Sequence, residues 1–425
     1  MLKQIEGSRA MAEGIALCRP EVICAYPITP QTHIVEALGE MVKDGHIQNC
    51  EYINVESEFA ALSVAIGSSA AGARSYTATA SQGLLFMAEA VYNASGLGLP
   101  IVMTLGNRAI GSPINIWNDH SDAMALRDAG WIQIFAETNQ EAVDLHIQAF
   151  RLAESLSLPV MVCVDGFILT HAVERVDIPT QEQVDAFLPP FEPVQVLDPA
   201  GPISIGAMVG PDAFMEVRYL AHYKQLQALE RLPELAAEFK AIFGRESGGL
   251  LRTYRTEDAE TLVVAMGSVN GTIKDVVDEM REDGQRIGVV TLIAYRPFPF
   301  AALRQALGSA RNVVVLEKSL AVGMGGMLAN DIQMALRGMD NGPRVHSAIA
   351  GLGGRSITKP SLHRLFRQAI RPEGLEETHF LDLNREVVAR EIVHAAGQRR
   401  SGPTAENILR QVGVSASGLA VVPSV

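Results

Sequence analysis

The first 165 residues alternate short apolar runs with segments of helical period, and this alternation constrains the fold more than any other feature. The apolar runs predict strands at Val22–Tyr26, Tyr52–Val55, Arg74–Ala78, Pro100–Leu105, Trp131–Phe135 and Pro159–Val164. The segments between them predict helices at Pro30–Lys43, Ser57–Ala71, Leu84–Ala94 and Gln140–Ser155. Short strands alternating with helices are typical of a parallel sheet covered on both faces. The pattern therefore predicts an α/β fold, with a doubly wound domain over residues 1–170.

The alternation weakens over residues 171–260 and then returns. Several prolines and a polar helical stretch at Phe214–Phe243 predict a connecting segment with helices, partly wrapped around a neighbour. Regular alternation over residues 261–375 predicts a second, smaller α/β domain, and residues 376–425 are predicted to form a C-terminal helix and tail. Two domains are expected because a single core stops growing at about 250–300 residues, and this chain has 425.

Composition excludes several classes of protein. The chain has 35 Lys and Arg against 48 Asp and Glu, a net charge of −13, whereas a nucleic-acid-binding protein normally carries a basic face. We find no run of about 18 apolar residues that would span a membrane. Glu6, Arg9 and Glu13 interrupt any signal-peptide core. A cytoplasmic protein is expected.

The four cysteines, Cys18, Cys24, Cys50 and Cys163, do not show the short spacings that announce an iron–sulfur cluster. They are interpreted as buried thiols in a reducing compartment. The sequence also lacks a dinucleotide fingerprint, a P-loop, a zinc-protease motif and a nucleophile elbow. This absence suggests a cofactor held jointly with another chain.

Thr29 follows the first strand between two prolines, Pro27 and Pro30, at the carboxyl end where open α/β sheets bind ligands. One interpretation is that Thr29 caps the following helix, with Pro30 at its first position. The other is that the stiff turn presents the Thr29 hydroxyl to a ligand.

Glu56 and Glu58 precede an apolar helix. A carboxylate in a first helical turn is favoured by the helix dipole, which explains either residue. Glu58 differs because apolar residues follow it directly, and such surroundings tend to raise the pKa of a carboxyl group and let it share a proton with a ligand.

Arg108 follows an apolar strand and lies in a loop flanked by glycines. Its guanidinium is suited to a bidentate pair with a substrate carboxylate. An ion pair with Asp119 or Asp122 in the same loop is an equal alternative.

These segments together resemble the α subunit of the 2-oxoacid:acceptor oxidoreductases, whose best-known members are the pyruvate:ferredoxin oxidoreductases. The phenylglyoxylate dehydrogenase α subunit is one possible member. The resemblance covers residues 5–375. It is carried by residues 26–30, 56–58, 79–84, 118–122, 127–131 and 165–167, and in the second domain by residues 295–299, 323–326 and 351–355.

The resemblance implies a thiamine diphosphate pyrimidine-binding domain followed by a transketolase C-terminal-like domain. It implies that Glu58 hydrogen-bonds the cofactor's aminopyrimidine, with Pro27, Ile28 and Gln82 also at the cofactor. Thr29 and Arg108 would hold the carboxylate and keto oxygen of the 2-oxoacid. No metal ligand is expected on this chain.

The resemblance also implies partners. A β subunit would supply the Mg2+ and diphosphate ligands, since no G-D-G motif occurs in this chain. Iron–sulfur clusters would lie on γ and ferredoxin-like subunits, coenzyme A would take the acyl group, and a flavin/NAD subunit is one possible acceptor. Two alternatives are a non-catalytic assembly paralogue and a stand-alone thiamine enzyme. The retained Glu58, Thr29 and Arg108 argue against the first, and the missing diphosphate motif against the second. The substrate stays open between pyruvate and other 2-oxoacids, including aromatic ones.

Overall fold

A computed structural model describes residues 1–397 and 404–412 of the chain. The chain divides into two compact units, Met1–His379 and Phe380–Val425. The described part of the second unit contains two helices.

Fifteen strands are present in the described residues: β1 (Leu2–Glu6), β2 (Val22–Ala25), β3 (Glu51–Asn54), β4 (Ser75–Thr79), β5 (Val102–Asn107), β6 (Ile132–Phe135), β7 (Val160–Asp165), β8 (Val173–Asp177), β9 (Leu251–Tyr254), β10 (Thr261–Ala265), β11 (Ile287–Leu292), β12 (Ala294–Arg296), β13 (Asn312–Glu317), β14 (Arg344–Ile349) and β15 (His379–Phe380).

The α-helices of the same residues are α1 (Gly7–Leu17), α2 (Thr32–Lys43), α3 (Glu58–Ala70), α4 (Ser81–Phe86), α5 (Ala88–Gly96), α6 (Ser121–Ala125), α7 (Asn139–Leu156), α8 (Gln181–Phe187), α9 (Pro211–Phe243), α10 (Val269–Glu282), α11 (Phe300–Leu307), α12 (Met327–Leu336), α13 (Lys359–Ile370), α14 (Arg385–Gly397) and α15 (Thr404–Gln411). None of these helices is long and apolar enough to cross a membrane.

The first sheet has seven strands in the order β12-β6-β7-β5-β4-β2-β3. Six of them are parallel, and β12 pairs antiparallel with β6. Every residue of β4, β5 and β7 is buried, as expected where helices cover both faces of a parallel sheet. All six predicted strands are present, and the predicted doubly wound α/β class is confirmed.

The second sheet contains the order β14-β13-β10-β11-β9, parallel except for β9. Apolar packing joins it to the first sheet, because Met103 and Met161 of the first sheet and Val264 and Val290 of the second belong to one buried hydrophobic cluster. The second α/β layer is thus also confirmed. The domain bounds given above stay a prediction, since both sheets belong to one compact unit.

Two differences from the sequence-based prediction are a broken helix and an additional pair of strands. The helix predicted at Leu84–Ala94 is broken into α4 and α5, because Met87 (φ −92°, ψ 14°) departs from helical geometry. The antiparallel pair β1 and β8 was not predicted. Its strands are mostly exposed or half-buried and carry charged side chains, so they lack the apolar run by which the other strands were found.

Candidate active site

The site lies where the carboxyl ends of the parallel strands β2, β4, β5 and β7 meet, the edge at which open α/β sheets bind ligands. The loop after β2 carries Thr29, helix α4 after β4 carries Gln82, and Arg108 directly follows β5. Glu58 is the first residue of α3, the helix that follows β3. The fold therefore brings the predicted residues from four separate segments to one edge of the sheet.

Arg108 is held by backbone carbonyls. Its Nη1 donates to the Thr29 carbonyl oxygen at 2.9 Å, and its Nε donates to the Asn115 carbonyl oxygen at 3.1 Å. Arg108 is 6 % exposed, and burial lowers the pKa of its guanidinium while the nearby Asp122 opposes that shift. These neutral partners leave the positive charge without a bonded counterion in the described structure.

The ion pair considered for Arg108 does not form among the described residues. Asp119 instead accepts from the backbone N–H of Ser121 at 2.9 Å and of Gly353 at 3.0 Å. Asp122 accepts from the backbone N–H of Arg108, at 3.0 Å, and not from its guanidinium. The Asp119 and Asp122 alternative was therefore wrong.

The Thr29 loop, residues 26–31, has exposed residues in its middle and buried residues at its end. Thr29 and Pro27 are exposed, Ile28 is half-buried and Pro30 is buried. Gln31, not Thr29, is the N-cap residue of α2, so the helix-cap interpretation of Thr29 was wrong.

Gln31 holds this loop in place. Its side chain is fully buried, and its Nε2 donates to the carbonyl oxygens of Tyr26 at 3.0 Å and of Ala78 at 3.4 Å. The second bond ties the loop after β2 to β4. Nothing in the sequence pattern distinguished Gln31, because its partner lies 47 residues away.

Glu58 is buried, with 8 % of its surface exposed, whereas Glu56 is exposed. The Ser57 side chain caps α3 by accepting from the Ala60 N–H at 3.2 Å. Across the residues that the structure describes, no hydrogen-bond donor satisfies the Glu58 carboxylate. A buried carboxylate without a donor is costly, so the site favours a ligand that supplies one.

Gly83 lies directly against Glu58. A Cβ atom added at Gly83 would lie 2.8 Å from Oε1 of Glu58 and 2.6 Å from Oγ1 of Thr79. Only glycine permits α4 to approach so closely, and this approach shapes the wall beside the carboxylate. Gln82, the preceding residue, is half-buried, and its Oε1 accepts a short hydrogen bond from the Ser81 hydroxyl.

Asp122 joins the start of helix α4 to the loop after β5. It is fully buried and accepts from the backbone N–H of Ser81 at 3.0 Å, from that of Arg108 at 3.0 Å and from Nδ2 of Asn107 at 2.9 Å. Burial raises the pKa of Asp122 to about 7, against the opposing effect of these hydrogen bonds. Sequence reasoning considered Asp122 only as a partner for Arg108 and missed this role.

A second buried carboxylate, Asp165, joins the two sheets. It binds Nε2 of His120 at 2.7 Å, Nζ of Lys318 at 2.9 Å and the backbone N–H of Ser268 at 3.0 Å. Burial alone would raise the pKa of Asp165, but the charges of Lys318 and His120 prevail and hold it well below its usual range. His120 is therefore a structural partner of Asp165.

The cysteines are interpreted from the sequence as buried thiols, and the structure agrees for three of them, whereas Cys50 is half-buried. All four are free thiols, and Cys18, Cys24 and Cys163 are buried. Burial raises the pKa of Cys24 and of Cys50 to about 11, which leaves little thiolate at neutral pH.

Comparisons with known proteins identify the family. Residues 13–237 match the thiamine diphosphate-binding model of the pyruvate flavodoxin/ferredoxin oxidoreductases, and residues 259–362 match core domain II of pyruvate:ferredoxin oxidoreductase. The pyruvate synthase subunit PorA of Methanosarcina barkeri is 46 % identical over 390 residues, covering 90 % of this chain and 97 % of that protein. The chain is an α subunit of the thiamine diphosphate-dependent 2-oxoacid:ferredoxin oxidoreductases.

Other relatives of this α subunit differ in the substrate that their names give. The ketoisovalerate oxidoreductase subunit VorA of Pyrococcus horikoshii is 38 % identical over 357 residues, covering 84 % of this chain and 90 % of that protein. A solved 2-oxoglutarate:ferredoxin oxidoreductase from Magnetococcus marinus matches with a TM-score of 0.65 at 18 % identity, over 87 % of this chain and 65 % of that chain. That structural likeness shows the fold.

The residues present fit the family's cofactor. When bound, thiamine diphosphate supplies a carbon nucleophile for the keto carbon of a 2-oxoacid. The buried Glu58 carboxylate, which has no donor among the described residues, matches a protonated ring nitrogen, and a Cβ atom at Gly83 would crowd this carboxylate. Our identification of the family and of a thiamine-dependent oxidoreductase from the sequence is confirmed.

Proposed function

We propose that this chain is the α subunit of a complex that oxidatively decarboxylates pyruvate to acetyl-CoA and CO2. The single observation that carries this proposal is that a buried Glu58 without a hydrogen-bond donor and an Arg108 without a bonded counterion lie at the same sheet edge. Pyruvate is the preferred substrate because the relative at 46 % identity is a pyruvate synthase subunit, whereas the ketoisovalerate relative is 38 % identical.

In this proposal Glu58 is the catalytic carboxylate that binds the aminopyrimidine of thiamine diphosphate. A carboxylate that accepts a hydrogen bond from the ring nitrogen favours the tautomer able to act as a base. Pro27, Ile28 and Gln82 would contact the same cofactor, because they border the strand ends beside Glu58. No residue of this chain is assigned as a metal ligand for the diphosphate.

Arg108 and Thr29 would hold the substrate. The Arg108 guanidinium is fixed by two carbonyl oxygens and keeps its charge for the 2-oxoacid carboxylate. One of these carbonyls belongs to Thr29, so the exposed Thr29 side chain stays next to the guanidinium. A hydroxyl there is suited to the keto oxygen.

The remaining components would come from partner subunits in the cytoplasm. A β subunit supplies Mg2+ and the diphosphate ligands, and γ and ferredoxin-like subunits carry the iron–sulfur clusters. Electrons pass through those clusters to ferredoxin, or to NAD through a flavin subunit. Coenzyme A takes the acyl group.

Turnover by the purified complex tests the substrate assignment. Pyruvate, 2-oxoisovalerate, 2-oxoglutarate and phenylglyoxylate are each supplied with coenzyme A and a one-electron acceptor without oxygen. The proposal expects the highest kcat/KM for pyruvate. A kcat/KM for phenylglyoxylate or another 2-oxoacid that exceeds the pyruvate value about tenfold would show that the substrate is different.

A further inference from the structure

Outside the active site, Glu6, His33 and His171 form a cluster whose potential ligand atoms all lie within 4.8 Å of one another. We propose that this cluster binds a divalent transition metal ion of the zinc type. Two imidazoles and one carboxylate are a ligand set typical of zinc, with a fourth position left for water.

The three side chains come from separate elements that are bonded to one another. Glu6 ends β1, His33 lies in the first turn of α2, and His171 follows the turn after β7. Backbone hydrogen bonds join the first and last of these segments, from Gly7 N–H to Ala172 O and from Ser8 N–H to Thr170 O, both at 2.9 Å. The cluster is therefore set by the fold and does not depend on a single loop.

His33 and Glu6 already lie in contact, with Nδ1 of His33 2.7 Å from Oε1 of Glu6. The rings of His33 and His171 have centroids 4.8 Å apart. Zinc bonds of about 2.0–2.2 Å require ligand atoms somewhat closer than the widest separation here. Because the His33 side chain is 50 % exposed, it can rotate to close that gap.

His171 has the surroundings of a metal ligand. Its Nδ1 lies 2.7 Å from the Thr170 hydroxyl, which also accepts the Phe167 N–H at 2.8 Å. Metal-binding histidines usually have their second ring nitrogen fixed in this way, which leaves Nε2 for the ion.

A metal here would stiffen the substrate side of the active site. The turn after β7 packs on the Thr29 loop, since a Cβ atom added at Gly166 would lie 2.5 Å from Cγ of Pro30. The ion would join this turn to the start of α2, which follows the same loop. The expected effect is on stability, and it does not depend on the function proposed above.

Zinc binding by the full-length chain tests the proposal. The protein is stripped with a chelator, dialysed against ZnCl2 and analysed for zinc by mass spectrometry, with its melting temperature recorded. We expect about one zinc per chain and a higher melting temperature. The variants His33→Ala and His171→Ala should both lose the zinc and the shift in melting temperature.

His363→Ala is the matched control, because His363 forms an ordinary surface pair with Glu279 at 2.7 Å; this variant should bind zinc like the wild type. Glu6→Gln keeps the shape of the side chain and should weaken zinc binding about 10-fold or more even if a histidine variant fails to fold. A folded wild type that binds no zinc, or unchanged zinc content in His33→Ala, His171→Ala and Glu6→Gln, would overturn the proposal. The cluster would then be only a His33–Glu6 ion pair beside a structural His171.

Discussion

At the scale of single residues, the site depends on two buried ionisable side chains that form no ion pair among the described residues. Glu58 has no donor among the described residues, and Arg108 is bonded only to carbonyl oxygens. Buried charges without partners are expensive, and such residues are typical of functional sites. Both positions were predicted from their place at strand ends. Asp122 and Gln31 were not assigned these roles, since their importance lies in bonds to residues distant in sequence.

Replacement of Arg108 should affect the substrate more than the fold. Arg108→Ala removes the fixed guanidinium, and we expect kcat/KM for the 2-oxoacid to fall by about 10²–10⁴. Arg108→Lys keeps the charge and loses the fork geometry, so its kcat/KM should lie between the values for the wild type and for Arg108→Ala. Measuring KM, cofactor affinity and melting temperature on one preparation separates the roles. A lower melting temperature with an unchanged KM would make Arg108 a scaffold residue.

Asp122 should make stability depend on pH. Its carboxyl has a pKa of about 7 in the folded chain, above its ordinary value of 3.8. The stability that this higher pKa contributes is complete below about pH 4 and is lost as the pH rises through 7. Asp122→Asn cannot titrate. We therefore compare the free energy of unfolding of the wild type with that of Asp122→Asn at each pH. The wild-type value minus the variant value should be larger at pH 5 than at pH 8, by on the order of 2 kcal/mol. An equal difference at both pH values would refute this.

At the scale of elements, the alternation of strands and helices was enough to predict the first sheet. It did not predict how closely the helices that connect its strands, such as α3 and α4, approach one another. The strands β2 to β7 follow from their apolar runs, whereas the break at Met87 does not. Helix α4 is fixed by the contacts of Gly83 with Thr79 and Glu58, and a contact between segments leaves no periodic signal. The pair β1 and β8 escaped prediction for the related reason that its polar strands are stabilised by their pairing.

Gly83→Ala tests this close approach. The added methyl group would meet Thr79 at 2.6 Å and Glu58 at 2.8 Å. We expect a loss of about 1–3 kcal/mol in the free energy of unfolding and a marked drop in turnover. Gly67→Ala is the matched control, because it lies inside α3 with nothing within 4 Å of the added atom. That variant should be neutral or more stable by up to about 1 kcal/mol. Equal behaviour of the two variants would remove Gly83 from the site.

At the scale of the whole molecule, the Asp165 carboxylate connects the two sheets. Asp165→Asn would leave Lys318 and His120 buried without their counterion, and breaking a buried pair costs about 3–5 kcal/mol. Asp283→Asn serves as the control, because it breaks only the exposed pair with Arg367 at 3.0 Å and should cost about 0–1 kcal/mol. Chemical denaturation of the full-length chain measures both. A similar, small loss in the two variants would show that Asp165 does not hold the sheets together.

In the proposed function, this chain contributes Glu58 to a thiamine diphosphate site completed by a partner subunit. The most direct measurement is the turnover of a complex assembled with Glu58→Gln, which keeps the size of the side chain but removes its charge. We expect the subunits to assemble as in the wild type while turnover falls by about 10²–10⁴. A correctly assembled Glu58→Gln complex that retains more than about a third of the wild-type rate would contradict the account.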